Sequence, residues 1–152
     1  MELTIDQALQ QGVAAHREGK LQDAERLYRA ILQSQPTHPD ANHNLGVLAV
    51  SVKKADAALP LFKTALEANP KIEQFWLSYV NCLLQLDNFN GARHALLEAD
   101  KAGVSATTLH ALEEELKSKL VPFSGTFSNG SNDKFPVDQD ELSVAIKLCE
   151  SG

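Results

Sequence analysis

The chain has 152 residues, the length of one ordinary domain, with 14 basic and 20 acidic residues and a formal net charge of −6. Its basic residues stand singly or in pairs such as Lys53-Lys54, which argues against nucleic acid or an anionic membrane as the main partner, since both select clustered Lys and Arg. Hydrophobic residues make up 43% but aromatics only 6%, so a core of close-packed helices rich in Ala and Leu is expected.

Along the chain, Met1 to Asp6 shows no basic region followed by an apolar run, so no export signal is predicted. Two distant cysteines, Cys82 and Cys149, fit reduced thiols and a cytoplasmic setting. No stretch reaches the roughly 20 apolar residues of a membrane span. Thr4-Ile5-Asp6-Gln7 has capping-box spacing and predicts a helix start. A first helical hairpin is expected to turn at Gly19-Lys20, with Asp23 ahead of its second helix. A second turns at Lys53-Lys54, with Pro60 expected in the first turn of its second helix, where few hydrogen bonds are lost. A third turns at Asp87-Asn88 and ends at Gly103.

Beyond the hairpins, Leu109, Leu112, Leu116 and Leu120 form one apolar stripe opposite Glu113, Glu114, Lys117 and Lys119, the pattern of a capping helix. Residues 121–137 are rich in Gly, Ser, Asn and Pro and read as a flexible linker carrying Phe123, Phe127 and Phe135. Residues 138–150 read as a further helix with Leu142, Ala145, Ile146 and Cys149 on one face. That helix is expected to begin a repeat continuing past Gly152, to pack on the stack, or to complete a second copy in a homo-oligomer.

A shift of 34 residues lays Gly12 on Gly46, Ala24 on Ala58, Tyr28 on Phe62, Leu32 on Leu66 and Pro36 on Pro70. A second shift lays Ala58 on Ala92, Phe62 on Leu96 and Ala65 on Ala99. Such a period marks a solenoid of two-helix repeats. Glycine costs about 1 kcal/mol against Ala inside a helix, so Gly12 and Gly46 imply a second helix passing too close for a side chain. Pro36 and Pro70 stop the helices before them, having no N–H to donate. The repeats are expected at about 5–38, 39–72 and 73–104, with the capping helix at 105–120.

Leu45-Gly46, Ala58, Phe62, Ala65 and Pro70 in the middle repeat, with Gly12, Ala24, Tyr28 and Pro36 before it and Trp76, Ala92 and Ala99 after it, resemble the tetratricopeptide repeat family. The resemblance covers residues 4–104. It implies an all-α, right-handed solenoid over 4–120, made of three hairpins and a cap. Val80 stands at the glycine position of repeat three and Val104 at the proline position, implying looser packing or an irregular end there.

No HExxH, GxSxG, phosphate-cradling glycine loop or cysteine pair occurs, so no catalytic residue, metal or cofactor is expected. His38 and His43 flank Pro39-Asp40 at a spacing that does not share a helical face. The resemblance implies instead a protein or peptide partner in a concave groove lined by the first helices. Helical spacing nominates Gln10 and Arg17, His43, Asn44 and Val47, and Gln74, Ser78 and Asn81. Asn44 and Asn81 lead this set, because a carboxamide both donates to and accepts from a peptide bond. Relatives that grip the carboxylates of chaperone C-termini place Lys, Asn, Lys and Arg where Leu9, Val13, Gln74 and Ser78 stand, so only Asn44 fits such a clamp. The run from Gly19 to Pro36 also resembles repeats ahead of glycosyl-, sulfo- or methyltransferase domains in bacterial proteins. The alternative expectation is therefore the N-terminal recruiting or oligomerisation region of a larger enzyme.

Overall fold

The computed structural model describes residues 2–120; the expected linker 121–137 and helix 138–150 lie outside the described residues. Seven α-helices follow in order: α1 (Ile5–Arg17), α2 (Leu21–Ser34), α3 (Pro39–Ser51), α4 (Ala55–Ala68), α5 (Glu73–Gln85), α6 (Phe89–Ala102) and α7 (Ala106–Leu120). Among the described residues the regular structure is all helical. Each first helix has 13 residues and each second helix 14, and both sets start at intervals of 34 residues. The packing is that of an α-solenoid: α1 on α2, α3 on α4 and α5 on α6, with each second helix also against the next first helix.

Local chemistry sets the helix ends. Thr4 Oγ1 accepts from Gln7 N and Thr4 N donates to Gln7 Oε1, completing the expected capping box. His38 caps α3, its Nδ1 accepting from Ala41 N at 3.2 Å, and Asn88 Oδ1 caps α6 by accepting from Gly91 N at 2.9 Å. Asp23 lies inside the first turn of α2, because that helix already starts at Leu21.

The three hairpin turns share one geometry. Gly19, Lys53 and Asp87, at the same place in successive repeats, all adopt positive φ (78°, 62° and 54°). The residue after each donates its N–H back five residues, Lys20 to Ala15 O, Lys54 to Ala49 O and Asn88 to Leu83 O. This is the Schellman closure, which ties off helix carbonyls by one left-handed residue.

Two sequence expectations change. Pro60 is the sixth residue of α4, in its second turn and not its first, so the ring takes away the N–H that Asp56 O would have accepted. Pro60 is exposed, so water can reach the freed carbonyl region. Val80 does not loosen repeat three. It is fully buried in one cluster with Leu96, Leu83, Leu84 and Leu112. A smaller Leu at position 96, where the other repeats carry rings, makes the room that Val80 fills.

α7 ends the stack against α5 and α6, with Leu112 and Leu116 buried. Its N-terminus is tied to the first residue of α5: Glu73 accepts from Ser105 N (3.0 Å), Ser105 Oγ (3.1 Å) and Thr108 Oγ1 (2.6 Å). These donors hold the Glu73 carboxylate below its ordinary pKa, Thr108 first among them.

Candidate peptide-binding surface

The nominated residues all sit on first helices: Gln10 and Arg17 on α1; His43, Asn44 and Val47 on α3; Gln74, Ser78 and Asn81 on α5. α3 touches both α1 and α5, so the three helices form one continuous surface. In the 34-residue register Gln10, Asn44 and Ser78 form one row across it and Val13, Val47 and Asn81 the next. Gln10, Arg17 and Gln74 are exposed, and Asn44, Val47, Ser78 and Asn81 are partly exposed. The lining is therefore amide, hydroxyl and aliphatic, with Arg17 its lone cation.

His43 departs from the rest of the set by being buried, with 8% of its surface exposed. Its ring stacks on Phe75 (centroids 4.7 Å apart, planes at 28°) and tilts against Phe62 at 5.6 Å. Nε2 lies 2.8 Å from Ser78 Oγ, so two nominated residues are bonded to each other across the α3–α5 seam. Burial pushes the His43 pKa below the usual value, against smaller raising effects from Asn44 and Asp40. A neutral imidazole here does the work that Leu9 and Leu77 do at the same position in the other repeats. The spacing put His43 on the right helix, but spacing carries no signal for the two rings that enclose it.

Asn81 is the reverse case. Among the described residues its Oδ1 is the one buried side-chain oxygen with no hydrogen-bond partner. A buried carbonyl without a donor costs about 1–3 kcal/mol, which a valine at this position, as in the first two repeats, would avoid.

The sequence reading missed Asn42, which stands where the third repeat has Trp76. Asn42 Nδ2 donates to Pro36 O at 3.0 Å and to His38 O at 2.9 Å, and Trp76 Nε1 donates to Pro70 O at 2.8 Å. The carbonyl at the same place in successive inter-repeat links is thus satisfied by two unlike side chains. Only the shared register of positions 42 and 76 could have signalled it. A shallow depression lined by Gln35, Thr37, His38, Thr64 and Glu67 includes none of the nominated residues. Among the described residues no group of three His, Cys, Asp or Glu could hold a metal ion, and no helix is long and apolar enough to cross a membrane.

Comparison with known proteins gives the same architecture. Residues 9–70 and residues 49–116 each match a family described as tetratricopeptide repeat. No curated protein matches the chain. The Sgt2 TPR domain from Aspergillus fumigatus superposes with a TM-score of 0.67 at 19% identity, over 76% of this chain and 78% of that one. The Yersinia enterocolitica type III secretion chaperone SycD, in complex with a peptide of the translocator YopD, gives 0.64 at 19% identity, over 79% and 92%. The first TPR of Spaghetti (RPAP3), bound to the HSP90 peptide SRMEEVD, gives 0.66 at 15% identity, over 79% and 98%. At these identities the likeness is one of fold.

Proposed function

The chain belongs to the tetratricopeptide repeat family, whose repeats are generally non-catalytic interaction modules, and from that premise we propose a scaffold that holds an extended peptide across α1, α3 and α5. The observation that supports this reading is the row of Gln10, Asn44 and Ser78, exposed or half-exposed polar side chains at one register position across α1, α3 and α5. Gln10 and Asn44 add amides that can pair with main chain without reading side chains. The lining lacks the cations that would select a terminal carboxylate, so the ligand is an internal, extended segment of modest hydrophobicity. Two of the similar structures hold peptides, which supports a peptide as the class of ligand.

Asn81→Val tests the reading, because it installs the residue found at positions 13 and 47. The variant is expected to unfold at higher urea, by about 1 kcal/mol, since an unsatisfied acceptor is gone. The same variant, and Asn44→Ala beside it, should weaken a partner recovered by pull-down about tenfold by calorimetry, a loss of about 1.4 kcal/mol. Unchanged affinity in the double variant would sink the proposal.

A further inference from the structure

One buried titratable ring fills the seam between α3 and α5. His43 takes the place that Leu9 and Leu77 hold in the flanking repeats, so an ionisable group stands where the repeat otherwise uses an apolar one. The stack on Phe75 and the hydrogen bond to Ser78 Oγ both cross from α3 to α5, and both belong to this ring. A neutral imidazole is at ease there. An imidazolium is not, because the two phenyl rings offer it no hydrogen-bond acceptor and Ser78 Oγ is a single one.

Asp40 gives the charged ring a place to go. It precedes His43 by one turn of α3, on the same side of the helix, and it is exposed. Among the described residues it is the one charge that acts on the ring, and none comes from α1, α2, α4 or α5, the helices packed on α3. We propose that His43 is a proton-operated gate on the α1–α3–α5 surface. Neutral, the ring closes the α3–α5 seam and holds Ser78 in the row with Gln10 and Asn44. Protonated, it swings out toward Asp40, releases Ser78 and loosens the surface's hold on an extended peptide. That last consequence rests on the peptide reading above, whereas the movement does not. Burial sets the opening below the usual imidazole value of 6.5, with Asn44 and Asp40 acting the other way.

The movement is read on the free full chain, by following histidine ring and backbone amide signals from about pH 7.5 to about pH 5. Amides of Asn44, Phe75 and Ser78 are expected to shift with the His43 ring at one midpoint, with helix content by far-UV dichroism unchanged. Nuclear Overhauser contacts between the His43 and Phe75 rings should fade through the same midpoint. Asp40→Asn should move it further down, and His43→Leu should abolish it, leaving only shifts that belong to His16, His38, His94 or His110. Ring contacts that persist once His43 is charged would overturn the gate, as would shifts that appear only as the whole chain unfolds. For the consequence, the probe is a peptide selected from a random library on the wild-type chain and counter-selected on Asn44→Ala. Its Kd should rise about tenfold in acid with the wild type and stay level with His43→Leu. An equal rise in both would place the titration elsewhere and overturn the proposal. If no such peptide emerges, the peptide reading fails alone, and the ring contacts still decide the gate.

Discussion

A Cβ placed on Gly46 would stand 2.6 Å from Cε1 of Phe62, inside any permitted carbon–carbon contact, and the same construction on Gly12 meets Tyr28 at 2.7 Å. Both rings are almost wholly buried, so neither can swing aside into solvent. The hairpin is closed by a ring lying on bare backbone, and the distance between its helices is set by that contact.

Gly46→Ala is therefore expected to destabilise the fold. Overpacking of this kind costs about 1–3 kcal/mol, and the gain in helix propensity returns about 1 kcal/mol of it. Urea unfolding should show a lower midpoint with an unchanged slope. Gly46→Val combined with Phe62→Leu, the pair that repeat three uses at Val80 and Leu96, should recover much of the loss. A double variant no better than the sum of its parts would show that the two positions do not share one volume.

The turn residues give a prediction of opposite sign. Lys53 holds a left-handed conformation at φ 62°, which costs an ordinary L-residue about 1–2 kcal/mol and glycine nothing in sterics. Lys53→Gly should raise the stability by up to about 1 kcal/mol, and with it the unfolding midpoint, the larger unfolded-state entropy of glycine offsetting the rest. Gly19→Ala, at φ 78°, should lower the stability by about 1 kcal/mol and the midpoint with it. Thermal melts of the two variants, moving in opposite directions, check both.

His43 makes stability depend on mild acid. Its folded pKa is lowered by burial from 6.5, so below that pH the unfolded chain takes up the proton first. Stability should therefore fall as pH drops below about 6.5 and continue falling until the folded pKa is passed. His43→Leu, which copies Leu9 and Leu77, should remove this step while leaving the carboxylate-driven loss at lower pH. Urea midpoints at about pH 7.5 and 5.5 for the two proteins decide it.

Glu73 should govern how firmly α7 is held. Its lowered pKa means its contribution is complete above the ordinary carboxylate range and is lost as pH falls through the folded value. Glu73→Gln keeps one acceptor and loses the charge, so amide hydrogen exchange should quicken across 106–120 before it does in α1 to α4. Uniform acceleration along the whole chain would mean that α7 and the repeats open together.

The solenoid was legible in the sequence because its determinants are local and repeated. Gly46 beneath Phe62, Ala58 and Ala65 between helices, and the turns at Gly19, Lys53 and Asp87 recur at one spacing, so each repeat vouches for the next. Pro60 was placed a turn too early because a proline tolerated on an exposed helix face leaves no mark on the apolar pattern. The proposed peptide surface was legible only as a set of helix faces.

What the residues of 152 positions determined alone was the period, and with it the pairing of helices and the identity of the first-helix surface. Tertiary structure decided how each polar group on that surface is used. It enclosed His43 between Phe62 and Phe75 against Ser78, matched Asn42 to Trp76 at the inter-repeat carbonyls, and left Asn81 Oδ1 without a donor. The reason is physical. Periodicity reports which side of a helix a residue faces, whereas hydrogen bonds and desolvation depend on which atoms the fold brings together, from six residues apart at Asn42 and Pro36 to 35 apart at His43 and Ser78.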